Sequence, residues 1–211
     1  MPPLENLLSY ASLTLVTFGK WDEVLAAPLP PSDLRVSTGL AYYARGVAHA
    51  AKGQWPEARA ALDTVKAIAA GTSPHDQIAL SAGGGENKIV MDIAMHALTG
   101  EIADRSGQGD AASHFREAVQ LQDSFNYTEP PQWYYPVRHS LGAVLLRQGQ
   151  AAEAERVYRE DLKTFPENGW ALFGLTKALQ AQGKTAEAQA VEARFRKAWT
   201  GADVTLTATR L

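Results

Sequence analysis

The chain has 211 residues, with 20 Lys and Arg against 23 Asp and Glu, a formal net charge of −3 and no cysteine. It lacks the basic excess that binding to nucleic acid phosphates usually requires, and without cysteine it has no disulfide, thiolate metal site or cysteine nucleophile. No apolar run reaches membrane-spanning length, and the N-terminal residues lack the pattern of a signal peptide. We therefore expect a cytoplasmic chain that binds neither nucleic acid nor membrane.

Apolar residues recur at helical spacing and predict about five helical hairpins. The first helices of the hairpins are expected over Leu4 to Phe18, Leu34 to Lys52, Glu86 to Arg105, Pro136 to Gln148 and Asn168 to Gln182. The second helices are expected over Trp21 to Ala27, Pro56 to Ala70, Asp110 to Ser124, Ala151 to Phe165 and Thr185 to Thr200. The prolines at 28, 30 and 31 predict an early end for the first of these second helices.

A repeated phrase gives the arrangement of these helices. The residues Gly-Gln-Ala-Ala-Glu-Ala from Gly149 recur 34 positions later as Gly-Lys-Thr-Ala-Glu-Ala from Gly183. The residues Gly-Lys-Trp-Asp-Glu-Val from Gly19 recur at the same offset as Gly-Gln-Trp-Pro-Glu-Ala from Gly53. This period is the length of one helix-turn-helix repeat, a unit that must stack on its neighbours to bury its apolar face.

Small residues recur where the two helices of such a repeat would cross closely, and a proline follows a second helix. They are Gly46 and Gly142 in first helices, Ala58, Ala154 and Ala188 in second helices, and the helix-ending Pro166. With these residues and this period the chain resembles the tetratricopeptide repeat proteins. The resemblance implies an all-α fold, a right-handed α-α superhelix of about five hairpins. It also implies a single domain over 1–211, with units at about 4–31, 34–70, 86–126, 134–166 and 168–200 and an extended tail at 201–211.

Two irregularities interrupt the pattern. In the third unit, a register set by Gly109 puts His114 at the small-residue position, and the 40 residues from Gly109 to Gly149 exceed the period by six. The stretch from 71 to 85 is rich in helix breakers and too long for an ordinary repeat connection, which predicts a mobile loop or a functional flap. Its glycines at 83–85 favour a flexible connector over an anion-binding loop, because no strand precedes them.

Two further stretches, 127–143 and 168–175, are similar to the region near the C-terminus of long bacterial tetratricopeptide repeat proteins. This likeness implies that the chain is the C-terminal portion of such a protein, and it carries no settled activity with it.

The family register implies which side chains of the first helices point into a concave groove. They are Asn6, Ser9, Tyr10, Leu13, Tyr43, Val47, His96, Thr99, His139, Ala143, Trp170, Phe173 and Lys177. We take Tyr10, Tyr43, His96, His139, Trp170, Phe173 and Lys177 as the candidate binding residues, since aromatic anchors give contact area at low entropic cost. The alternative is that the aromatics among them only fill the space between repeats.

The basic clamp with which some family members grip a peptide carboxylate is not expected here. Its candidates, Lys177, Arg147 and Asn6, are widely separated in sequence.

A second candidate site is the stretch in which Pro130 and Pro131 precede three aromatic residues. Its candidates are Trp133, Tyr134, Tyr135 and Arg138. The competing interpretation, which we favour, is that these aromatics pack at the junction left by the irregular third unit.

No residues form a recognisable catalytic or metal-binding pattern. The five histidines include no His-x-x-x-His pair, and acidic residues such as Glu153, Glu155, Glu160 and Asp161 fit a solvated helix face. We expect no enzyme activity, no metal and no cofactor.

The last residues, from Asp203 to Leu211, leave the helical pattern and alternate apolar with hydroxyl side chains. They are expected to pack back as an extended strip or to pair with another chain.

Together these patterns predict a non-enzymatic scaffold that binds a peptide or protein segment in its concave groove. One alternative is a self-assembly or auxiliary domain of a larger protein, with a partner chain covering the apolar Leu4 to Leu15 face and homo-oligomers as the product. The other is a small-molecule binder or enzyme that uses His96, His139, Arg138 and the aromatic stretch.

Overall fold

The computed structural model describes residues 7–73, 87–126 and 128–210, and the regular elements in these ranges are all α-helices. They are α1 Leu7–Thr17, α2 Trp21–Ala26, α3 Arg35–Ala51, α4 Trp55–Gly71, α5 Asn87–Ser106, α6 Ala111–Asp123, α7 Arg138–Arg147, α8 Ala151–Thr164, α9 Gly169–Ala181 and α10 Thr185–Ala198. Apart from the start of α1, every end lies within one or two residues of its predicted position. The stretch 74–86, which holds most of the predicted loop or flap, lies outside the described residues.

The helices pack as consecutive hairpins. Each odd-numbered helix contacts the even-numbered helix that follows it, and first helices also contact one another, α1 with α3, α3 with α5, and α7 with α9. This is the packing of a helical solenoid of the predicted kind, so the all-α fold class is confirmed.

The described residues form two compact units, which we call unit 1 and unit 2. Unit 1 ends at Tyr135 and contains α1 to α6, and unit 2 begins at Pro136 and contains α7 to α10 with the tail. The expectation of one domain over the whole chain stays a prediction.

The glycines of the repeated phrase end the first helices. Gly53, Gly149 and Gly183 have φ values of 70°, 74° and 70°, a left-handed conformation that only glycine adopts without strain. Gly19 has the same conformation, with φ 64°. The sequence period therefore marks a backbone requirement at each turn.

Small residues lie where the helices cross, as predicted. A side chain at Gly46 would collide with Leu98, and one at Gly142 would collide with the ring of Tyr158. Ala58 and Ala154 are fully buried at the equivalent crossings of the second helices. Close approach of the helices depends on the absence of larger side chains at these positions.

The predicted register of the third unit is wrong. Ala111 and Ala112, and not His114, are the buried small residues at the start of α6. Ala112 lies five positions after Gly107, just as the buried Ala154 lies five positions after Gly149 in unit 2. The turn before α6 contains two glycines with positive φ, Gly107 and Gly109, and aligning on the second of them misplaced the small site.

Prolines border two helices as predicted. The helix α2 ends at Ala26, before the first proline of the group at 28, 30 and 31, and α8 ends at Thr164, before Pro166. Proline lacks the backbone N–H that continues a helix and constrains the residue before it.

Candidate binding surfaces

In unit 1, residues 128–135 lie over the first helices. We call them the aromatic segment. Trp133 is only 3% exposed, and its ring centroid lies 5.2 Å from that of Tyr43 on α3, in an edge-to-face arrangement. The hydroxyl oxygens of Tyr43 and Tyr134 are 3.0 Å apart. Burial raises the pKa of both tyrosines well above the ordinary value, so they stay neutral.

Hydrogen bonds hold the aromatic segment at two further points. The Tyr10 hydroxyl on α1 donates to the carbonyl of Pro131 at 2.8 Å. The Gln122 side chain amide on α6 donates to the carbonyl of Tyr135 at 2.9 Å. Two predicted groove residues, Tyr10 and Tyr43, therefore contact a segment of their own chain.

The rings of the aromatic segment pack on one another, as the packing interpretation predicts. Tyr134 and Tyr135 have centroids 4.7 Å apart, and Trp133 lies 5.3 Å from Tyr134. The fourth candidate of this set, Arg138, begins α7 in unit 2. Trp133 is buried, whereas Tyr134 and Tyr135 are half-buried, and a binding role for these residues stays a prediction.

His96 faces the second helix of its own hairpin. Its Nδ1 lies 3.5 Å from Nδ1 of His114 on α6. Burial, and then the neighbouring His114, lower the pKa of His96. Among the described residues, no group of three or more His, Asp or Glu side chains is placed to hold a metal ion.

In unit 2, the tail packs back onto α7, α8 and α9. Here the tail means residues 203–210, which form neither helix nor strand. Thr209 is 3% exposed, and its hydroxyl donates to the carbonyl of His139 at 2.8 Å. The hydroxyl oxygen of Tyr158 lies 2.8 Å from the hydroxyl oxygen of Thr209. The side chain of Leu206 is also buried. The described residues of the tail therefore lie against unit 2, as one of the two alternatives expects.

Two carboxylates predicted to be solvated are buried, so that prediction is wrong for them. Asp161 is 2% exposed, and its Oδ2 lies 3.1 Å from Nε2 of His139. Glu155 is 8% exposed. The His139 side chain therefore pairs inside unit 2, between α7 and α8.

Glu155 joins α8 to the turn before α10. Its carboxylate accepts from Lys184 at 2.7 Å, from Arg159 at 2.7 Å and from Gln182 at 2.8 Å. These donors, with Lys184 contributing most, lower the pKa of Glu155 to about 2 although burial opposes them. The group is ionised throughout the neutral range.

The aromatic candidates of α9 contact the last helix. Trp170 packs edge-to-face on Trp199 at 5.6 Å, and Phe173 packs on Phe195 at 5.5 Å. Lys177 lies over the ring of Phe173, with its Nζ 5.3 Å from the ring centroid. Both aromatic rings are half-buried.

A pocket of about 440 Å³ opens beside the tail in unit 2. It is lined by Ala143, Leu146 and Arg147 of α7, Phe173, Gly174 and Lys177 of α9, and Thr207, Ala208 and Thr209 of the tail. Arg147 and Lys177, which the sequence analysis set aside as too far apart, line the same pocket. Residues about one repeat apart come together because α7 and α9 pack side by side.

Sequence reasoning missed two members of this surface, Tyr158 and Thr209. The ring of Tyr158 lies where a side chain at Gly142 or at Gly174 would be. A glycine in each of two successive first helices was the available signal for a large side chain inserted between them. Thr209 carries no local signal, because its role comes only from contacts with α7 and α8.

Two segments of the chain match models of the tetratricopeptide repeat, residues 145–194 and residues 39–64. The first match spans α8, α9 and most of α10, and the second spans most of α3 and the first half of α4. No curated protein and no solved structure gives a significant match. None of the described helices combines the length and apolar character needed to cross a bilayer. The matches, the helical hairpins and the turn glycines support the resemblance to tetratricopeptide repeat proteins, with matched repeats at 39–64 and 145–194.

Proposed function

We propose that the chain is a non-enzymatic interaction module that binds an acidic protein segment in the pocket of unit 2. Tetratricopeptide repeats generally mediate protein–protein interaction and are not catalytic. The observation that carries the proposal is the pairing of two exposed cationic residues, Arg147 and Lys177, around one pocket with an apolar base.

The lining of the pocket favours a particular ligand chemistry. Arg147 and Lys177 supply positive charge from two neighbouring helices, while Leu146 and Phe173 supply apolar surface beside it. A segment with a carboxylate next to an aliphatic or aromatic side chain complements both. Opposite charges placed at an interface raise the association rate and select among partners.

Of the predicted groove residues, Phe173 and Lys177 are the ones we assign to partner binding. Tyr10 and Tyr43 contact the aromatic segment, and His139 pairs with Asp161. We assign these three residues to support of the surfaces.

The test uses fluorescein-labelled nine-residue peptides of alternating Glu and Leu, with the matching Gln and Leu peptide as control. Fluorescence anisotropy compares the wild type with Arg147→Gln/Lys177→Gln. We expect the Glu peptide to bind and the double variant to lose at least about tenfold in affinity. Lys197→Gln, an exposed cation on α10 outside the pocket lining, should leave affinity unchanged.

Equal binding of the Glu and Gln peptides would refute the proposal, and so would full affinity in the double variant. Circular dichroism verifies that each variant is folded before affinities are compared.

No specific observation favours the other two functions. In the described part of the Leu4 to Leu15 face, Leu13 is buried within the chain and Leu15 is half-buried, so Leu13 is already covered without a partner chain. His96 pairs with His114 and His139 pairs with Asp161, and neither pair forms a recognisable reaction geometry.

A further inference from the structure

We propose that unit 2 contains a second, hydroxyl-specific subsite, made by Tyr158, the carbonyl of His139 and the gap at Gly174. In this interpretation the tail is its resident ligand. The partner it fits is a bent, non-helical segment with a leucine and, three residues later, a threonine. This inference goes beyond the proposed acidic-segment pocket, because it rests on buried neutral groups and not on Arg147 or Lys177.

Two residues of the tail bury their side chains, three positions apart, and the indole N–H of Trp199 also donates to the carbonyl of Val204. Leu206 and Thr209 are buried, whereas Thr205 and Thr207 are exposed and Ala208 is half-buried. The chain bends at residues 207–209, which brings the two side chains to the same side although they are three positions apart. A non-helical segment that buries one aliphatic and one hydroxyl side chain in this way resembles a peptide bound by side-chain pockets.

The hydrogen bonds at Thr209 fix which groups of the subsite donate and which accept. A backbone carbonyl can only accept, so the single hydroxyl proton of Thr209 goes to the His139 carbonyl. Its oxygen then accepts the proton of the Tyr158 hydroxyl. Tyr158 is fully buried, so a ligand without a hydroxyl would leave its O–H group without this acceptor, which is unfavourable.

The shape of the subsite favours threonine over serine. The γ-methyl carbon of Thr209 lies 2.6 Å from the position that a Cβ at residue 174 would occupy. The space left by Gly174 is therefore filled by the threonine methyl group and by the Tyr158 ring. A residue with both a hydroxyl and a methyl group on Cβ satisfies the hydrogen bonds and the packing together.

The resident tail competes strongly with any segment supplied from outside. A ligand tethered in the same chain has an effective concentration in the millimolar range. Weakening the tail at Thr209 should thus be needed before an added segment can occupy the subsite.

The experiment supplies the tail in trans. The probe is a fluorescein-labelled peptide with the sequence of residues 202–210, and its control has valine in place of the threonine at 209. Fluorescence anisotropy measures both peptides with the wild type and with Thr209→Val, which keeps the shape of the tail residue and removes its hydroxyl.

We expect Thr209→Val to bind the threonine peptide at least about tenfold more tightly than the valine peptide, and at least about tenfold more tightly than the wild type does. Adding Tyr158→Phe should abolish the preference for threonine. Equal affinity for the two peptides, or binding to the wild type as tight as to the variant, would overturn the inference.

A second variant covers the case in which Thr209→Val does not fold. Leu206→Ala weakens the other contact of the tail, and the same order of affinities is expected for it. Lys177→Gln combined with either tail variant should leave the preference for threonine unchanged. If the wild type does not bind the Glu peptide while the tail variants still prefer the threonine peptide, only the proposed function is refuted.

Discussion

The surfaces of the two units are covered in chemically different ways. In unit 1 the aromatic segment places Trp133 and Tyr134 against Tyr43, and the rings make most of the contact. In unit 2 the tail is fixed by the hydroxyl of Thr209 and the side chain of Leu206. Aromatic rings that pack together bury a large apolar area. A buried hydroxyl contributes mainly specificity, because it is unfavourable to bury it without a hydrogen-bond partner.

Charge also distinguishes unit 2 from the aromatic segment of unit 1, which is held in part by neutral tyrosines. Unit 2 contains the buried carboxylates of Glu155 and Asp161, each with nitrogen partners. In unit 1, the contact between the aromatic segment and α3 involves Tyr43 and Tyr134, which stay neutral because burial raises their pKa. We therefore expect acid to weaken unit 2 through Glu155, whose pKa is lowered in the folded state, while the contacts among Tyr43, Trp133 and Tyr134 persist.

The largest expected effect is in unit 1. Trp133→Ala removes a buried indole ring from its contacts with Tyr43 and Tyr134, and should lower the free energy of unfolding by about 3–5 kcal/mol. Urea unfolding followed by far-ultraviolet circular dichroism measures the change. Phe18→Ala, at a ring that is 49% exposed, is the matched control and should cost far less. If both variants cost the same, the aromatic segment does not stabilise unit 1 as described.

The next effect tests the polar interior of unit 2. Glu155→Gln should lower the free energy of unfolding at pH 7 by about 2–3 kcal/mol, because the carboxylate pKa is about 2 in the folded state against an ordinary 4.5. Between these two pKa values the unfolded chain binds more protons than the folded chain. The stability that Glu155 adds is therefore present above pH 4.5 and is lost as the pH falls toward 2.

Urea titrations of the wild type and Glu155→Gln between pH 3 and pH 7 measure this difference. The gap between the two should narrow as the pH falls. Glu160→Gln, which alters an exposed pair with Lys163, is the control. A gap that stays constant with pH would show that the loss comes from packing and not from charge.

A smaller effect concerns the gap in which the Tyr158 ring lies. Gly142→Ala should destabilise unit 2 by about 1–3 kcal/mol, because the new methyl group collides with a fully buried ring. Alanine is otherwise the better helix former. Gly71→Ala is the control, since there the added carbon meets only the mobile end of Arg35. Thermal unfolding measures the Tm of each variant. We expect Gly142→Ala to lower the Tm clearly more than Gly71→Ala does, and equal changes in Tm would contradict the close crossing at Gly142.

The smallest expected effect is a pH dependence of the stability of unit 1 that comes from His96 on α5. The pKa of His96 is lowered in the folded state, mainly by burial, so below an ordinary value of 6.5 the unfolded chain binds more protons. Native stability should fall as the pH drops through this value. His96→Gln should remove that slope, and His114→Gln should reduce it, because His114 is the second cause. Unfolding at pH 5 and pH 7.5 measures the slope, and an unchanged slope in His96→Gln would contradict the assignment.

The sequence alone determined the helices and their pairing. A left-handed turn requires glycine, as at Gly53 and Gly149. A close crossing of two helices requires a small residue, as at Gly142. Each requirement is local and recurs with the repeat, so it can be recognised without coordinates. Where the turn grew to include both Gly107 and Gly109, the same rule gave the wrong register.

Only the tertiary structure decided which side chains meet. Glu155 looks like a solvated acid in the helical pattern, and its burial follows from the positions of Lys184 and Gln182 beside it. Arg147 and Lys177 share a pocket because α7 and α9 lie side by side. Thr209 acquires its role from Tyr158 and His139, which lie far from it in sequence. Periodicity records the constraints that every repeat obeys, whereas these contacts arise once each and leave no pattern to read.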